Sequence, residues 1–62
     1  MKSPDLIRLI ENDGWSRVRT RGSHRQYTHP SKPGVVTVRL RPVEEVGPGA
    51  LQGVLRQAQV QP

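Results

Sequence analysis

The sequence predicts an α+β fold: a helix, three strands and a helix, with both helices on one face of a three-stranded antiparallel sheet. Two observations lead there. Near each end of the 62-residue chain, apolar residues recur at spacings of three and four, the stripe of an amphipathic helix. Between the stripes lie three strand-like segments, the first two separated only by a short Gly-Ser turn and the last two by a Pro/Gly cluster.

Each element has its own local reason. Ser3-Pro4-Asp5 reads as a helix start, with Ser3 placed to cap, Pro4 suited to the first helical position and Asp5 to the positive end of the helix dipole. Leu6, Ile7, Leu9 and Ile10 form its apolar stripe, and Asn12-Asp13-Gly14 ends it with Gly14 as a left-handed cap. Residues 15–20 read as a first strand and Arg21-Gly22-Ser23 as a turn. Residues 24–29 then read as a second strand that closes a hairpin. The turn cluster from Pro30 to Gly34 leads to a third strand over 35–41, the most β-branched segment, which Pro42 ends. A connecting loop follows at Val43-Glu44-Glu45-Val46. Gly47-Pro48 is a cap and first-turn proline, and Leu51, Val54, Leu55 and Ala58 complete a second helical stripe. Gly53 inside that stripe costs about 1 kcal/mol relative to alanine, so this helix depends on packing.

Composition narrows the function classes. Sixty-two residues allow a single domain over 1–62 with a thin core. Cysteine is absent, so disulfides and thiolate–metal staples are excluded, and two histidines on opposite strand faces make no metal site. No apolar run approaches membrane-spanning length, and a soluble cytoplasmic protein needing no cofactor is the expectation. Ten Lys+Arg against five Asp+Glu leave a net charge of +5. The basic residues concentrate in 17–25 and 39–41, as expected of a surface that meets nucleic acid or an acidic protein.

The most informative segment is Gly22-Ser23-His24-Arg25-Gln26-Tyr27. Histidine is the most versatile acid/base side chain near neutral pH, and here it follows a Gly-Ser turn among arginines able to grip phosphates. Strand parity sorts its neighbours. If Tyr27 points into the core with Val36, Val38 and Leu40, then His24, Gln26 and Thr28 lie on the open face with Thr37, Arg39 and Arg41. The expected RNA-contacting set is Gly22, Ser23, Arg21, Arg25, Arg39 and Arg41, with His24 as the reactive group. Arg25 shares the Tyr27 side by the same parity. His29 lies five residues from His24 and faces the other way, so it is a poor catalytic partner and reads as structural. Trp15 and Tyr27 read as core, and Lys2, Lys32 and Arg56 as solvated charges.

The chain resembles the HicA toxins, small ribonucleases of type II toxin–antitoxin pairs. The resemblance runs from Ser3-Pro4-Asp5-Leu6-Ile7 through Asp13-Gly14-Trp15 and the Gly22-Ser23-His24-Arg25-Gln26-Tyr27 segment. It continues through His29-Pro30, Val36-Thr37-Val38 and Gly49-Ala50-Leu51 to Leu55-Arg56-Gln57-Ala58. Where the family often carries Val-Pro-x-His after the third strand, this chain has Val38-Arg39-Leu40-Arg41-Pro42, and Gly49-Ala50-Leu51 replaces the usual Gly-Thr-Leu. The resemblance implies a double-stranded-RNA-binding-domain-like fold, mRNA as substrate and His24 as the catalytic residue. It also implies a HicB-type antitoxin as partner, and the thin core makes association, above all an oligomer formed through that antitoxin, plausible. Two other classes fit the same charge pattern. One is a non-catalytic RNA-binding module in which His24 is only a contact, and the other is an adaptor whose basic face meets an acidic protein.

Overall fold

A computed structural model describes residues 1–39 and 45–60. Its order is α1 (Ser3–Asn12), β1 (Ser16–Arg21), β2 (His24–Thr28), β3 (Val36–Arg39) and α2 (Pro48–Ala58). The strands form one antiparallel sheet in the order β1-β2-β3. This is the α-β-β-β-α architecture expected from the sequence. Leu40 and Arg41, assigned above to the core and to the open face, lie outside the described residues.

Both helices pack on β3. Leu6, Ile7 and Ile10 of α1, Leu55 and Ala58 of α2, and Trp15 close over Tyr27, Val36 and Val38. Apolar burial of this kind stabilises a fold by about 1.5–3 kcal/mol per large side chain. β1 is different: all six of its residues are exposed. It is an edge strand that extends past the helices and offers both faces to solvent.

The helix ends are built alike. At the end of α1 the Gly14 N–H donates to the Glu11 carbonyl and the Trp15 N–H to the Ile10 carbonyl, with Gly14 at φ +112°. At the end of α2 the Gln59 N–H donates to the Arg56 carbonyl and the Val60 N–H to the Leu55 carbonyl, with Gln59 at φ 55°. Each is a Schellman motif, and in each a hydrophobic residue just past the end packs back on the core. The first uses glycine. The second forces a side chain into left-handed backbone.

Two sequence expectations change. Ser3 does not cap α1: the N-cap is Lys2, whose carbonyl accepts from the Asp5 and Leu6 N–H groups. Ser3 is instead the first helical residue, is buried, and donates its hydroxyl to the Arg39 carbonyl at 3.3 Å. Lys32 is not a free solvated charge either. Its ammonium donates to the Ala58 and Gln59 carbonyls and to Asp13 Oδ2, capping the negative end of α2 and tying it to the end of α1.

Trp15 and His29 complete that junction. Trp15 Nε1 donates to the Ala58 carbonyl at 3.1 Å, and the two rings meet edge-on with centroids 5.3 Å apart. His29 Nδ1 accepts from the Ser31 N–H, and Nε2 donates to the Asp13 carbonyl at 2.7 Å. Both ring nitrogens are engaged in joining the end of α1 to the loop after β2. His29 lies one residue past β2, which ends at Thr28 rather than at residue 29 as the sequence suggests.

Candidate functional site: a histidine between two arginines

The β1–β2 connection is a two-residue turn. Arg21 pairs with His24, leaving Gly22 and Ser23 as the loop. Gly22 has φ +56° and Ser23 is not left-handed, the pattern of a type II′ hairpin turn, which takes glycine first. The strand therefore runs one residue further than the sequence reading had it, and the difference sets the register. Pairing Arg21 with His24 places both on one face; a three-residue turn would have paired Thr20 with His24.

A β-bulge refines β1 further. Arg17 pairs with Tyr27 and Arg19 with Gln26, so Val18 is the extra residue, turned outward at 59% exposure. The bulge puts Arg17 on the Tyr27 side and keeps Arg19 and Arg21 on the His24 side. On β3, Arg39 pairs with His24 and Thr37 with Gln26. Arg21, His24 and Arg39 thus form one cross-strand row at the sheet end, and Arg19, Gln26 and Thr37 form the next. Directly opposite residues on one sheet face stand about 5 Å apart at Cβ, so the three side chains leave the sheet as close neighbours on one face.

Within the row, Arg39 Nε donates to His24 Nε2 at 3.1 Å. His24 is half-buried and Arg39 exposed. His24, Thr37 and Arg39 also border an open groove of about 740 Å³ between β3 and α2, whose other walls include Ala50, Gly53, Val54 and Gln57. Val54 of the α2 stripe lines this opening and is half-buried.

The structure brings together four of the described RNA-contact candidates with His24: Gly22 and Ser23 in the turn, and Arg21 and Arg39 in the row. It sets Arg25 apart. Arg25 pairs with Val38 and Thr20 on the helix side of the sheet, with its Nε buried and without a partner among the described residues. Arg41 lies outside the described residues. Arg19 was not among the candidates, although counting back from a two-residue Gly-Ser turn would have placed it beside the His24 row. Ser3 was also missed as the group that holds the Arg39 carbonyl. That contact spans 36 residues of chain and leaves no local signal.

Among the described residues, no group of three or more His, Cys, Asp or Glu side chains is placed to hold a metal ion, and no helix is long and apolar enough to cross a membrane. Two carboxylates are depressed. Asp13 lies below its ordinary value mainly through the hydrogen bond from Lys32, opposed by partial desolvation and aided by the Lys32 and His29 charges. Glu45 is lowered by the N-terminal ammonium, which donates to it at 2.6 Å. Asp13 belongs to the junction of the two helix ends, whereas Glu45 borders the same groove as His24 and Arg39.

No curated protein matches the chain. The family model for the HicA toxin of bacterial toxin–antitoxin systems matches residues 3–60, from the first helical residue to the residue after the α2 cap. The chain belongs to that family.

Proposed function

We propose that this HicA-family toxin is an endoribonuclease that cleaves mRNA without a metal ion, with His24 as its acid/base group and a HicB-type antitoxin as its inhibitor. The observation that supports the reading best is the Arg21–His24–Arg39 row. One proton-transfer group stands between two cations, on a sheet face that the helices leave open.

The chemistry follows from the RNA. A 2′-hydroxyl lies next to its own 3′-phosphate, so removing its proton lets O2′ attack phosphorus. The O2′–P bond forms and the P–O5′ bond breaks, giving a 2′,3′-cyclic phosphate and a 5′-hydroxyl. His24 Nε2 takes the proton from O2′. The departing O5′ receives a proton from the imidazolium so formed or from water. Arg21 and Arg39 neutralise the phosphoryl oxygens as charge builds in the transition state. Gly22 and Ser23 form the small, exposed turn beside the scissile phosphate, and Arg19 holds a neighbouring phosphate. The antitoxin presents acidic side chains to the same arginines and covers His24. The site of action is the cytoplasm, where mRNA and antitoxin are made.

The test uses purified protein, a single-stranded RNA and excess chelator. The wild type cleaves and leaves cyclic phosphate ends. His24→Ala binds with similar affinity but cleaves about 10²–10⁴-fold more slowly, the span that one proton-transfer group supplies. Binding without cleavage by the wild type itself overturns the enzyme reading in favour of a non-catalytic RNA-binding module. Cleavage unaffected by His24→Ala removes His24 from the mechanism.

A further inference from the structure

The chain's two histidines are held in opposite ways. His29 Nδ1 accepts from the Ser31 N–H and Nε2 faces the Asp13 carbonyl, so its ring proton sits on Nε2. At His24 the partner of Nε2 is Arg39 Nε, at 3.1 Å. A guanidinium group has only donors. The bond therefore requires a lone pair on His24 Nε2, and the ring proton sits on Nδ1. The Arg39 backbone is held twice: it pairs with His24 in the ladder, and its carbonyl accepts from the hydroxyl of the buried Ser3.

We infer that Arg39 is a positioning residue that latches His24: it fixes the Nδ1–H tautomer and occupies Nε2 until a phosphate draws the guanidinium away. The inference rests on the reading of His24 as proton acceptor. The same Nε2 lone pair must take the 2′-hydroxyl proton, so the base is unavailable while Arg39 sits on it. A phosphate competes well for that guanidinium. It accepts two parallel charge-assisted hydrogen bonds, against one to a neutral imidazole. Arg39 then moves from the ring to the phosphoryl oxygens, and Nε2 is freed beside the phosphate whose neighbouring 2′-hydroxyl it is to deprotonate. Binding and base release become one event.

The experiment is imidazole ¹⁵N NMR on the labelled full chain, at a pH about 1.5 units above the ordinary histidine value of about 6.5, with inorganic phosphate as the probe. His29 is an internal control of the opposite tautomer. The expected spectrum shows His24 protonated on Nδ1 and His29 on Nε2, and added phosphate shifts the His24 Nε2 resonance but not those of His29. Arg39→Ala moves His24 toward the Nε2–H form and abolishes the phosphate response, and Arg39→Lys restores part of that response. Arg39→Gln can still donate to Nε2 but carries no charge, so it keeps the tautomer while RNA cleavage falls at least about tenfold. A wild-type His24 protonated on Nε2, a pattern that survives Arg39→Ala, or a His24 resonance indifferent to phosphate overturns the latch. His24-dependent cleavage alongside any of these results sinks the latch alone. The latch pattern without wild-type cleavage upholds the geometry and sinks the ribonuclease reading.

Discussion

Replacing Gly14 by alanine should be among the most damaging single-methyl additions to this chain. At φ +112° a Cβ is strained whatever the surrounding space, and there it would lie 2.8 Å from His29 Nε2. Positive φ alone costs an L-residue about 1–2 kcal/mol. Relieving the clash moves a ring that makes two hydrogen bonds and an edge contact to Trp15, a further loss of about 1–2 kcal/mol. The sum is about 3 kcal/mol, a large part of the roughly 3–9 kcal/mol expected for 62 residues. At about 4–8 °C per kcal/mol in a domain this small, the melting temperature should fall by about 12–24 °C in thermal unfolding followed by circular dichroism. The two contributions separate in a His29→Ala background. With no ring to strike, Gly14→Ala should cost only the backbone strain, leaving a coupling of about 1–2 kcal/mol. A loss under about 4 °C, or equal costs in the two backgrounds, would refute the account of this junction.

The other predictions follow from the α2 cap, the Lys32 contacts and the basic face. Gln59→Gly relieves a left-handed residue at a Schellman cap and should stabilise by about 0.5–1 kcal/mol; a lower denaturation midpoint would contradict the strain reading. Asp13 has a depressed folded-state pKa, so its stabilisation is present above the unfolded value near 4 and is lost as pH falls through the lower folded value. The stability gap between wild type and Lys32→Met should accordingly narrow from pH about 5 down to about 2, while the part due to the Ala58 and Gln59 carbonyls persists. A gap independent of pH would show that the Asp13–Lys32 pair contributes nothing. Binding to single-stranded RNA should weaken steeply with salt, with a log–log slope of about −0.7 per phosphate neutralised. Arg19→Gln should make that slope shallower, and an unchanged slope would remove Arg19 from the binding face.

The elements were legible because each carries a local signal. Pro4 and Pro48 sit in first turns, Gly14 takes the positive φ after α1, and β-branched residues fill β3. Parity then carried the face assignment of β2 and β3 correctly, placing Tyr27, Val36 and Val38 inward and His24, Thr37 and Arg39 together. What resisted was everything set by register or by contacts distant in sequence. A turn one residue shorter than expected decides that Arg21 opposes His24. The bulge at Val18 shows in no alternation pattern, because Arg17, Arg19 and Arg21 repeat evenly through it. Ser3 looks like a cap because capping is what serine does before Pro-Asp, yet the Arg39 carbonyl on β3 takes its hydroxyl. Lys32 looks solvated until α2 arrives beside it. Arg25 counted as a phosphate ligand on charge alone, and its strand parity sends it to the other face.

The central claim, that the family's toxicity here is an RNA cleavage carried by His24 on the arginine-flanked sheet face, is tested most directly in cells. Wild type and His24→Ala would be induced to equal soluble levels, with growth and mRNA integrity scored together. The account predicts arrest with mRNA decay for the wild type, and neither for His24→Ala. Arrest by both proteins with mRNA intact would contradict it.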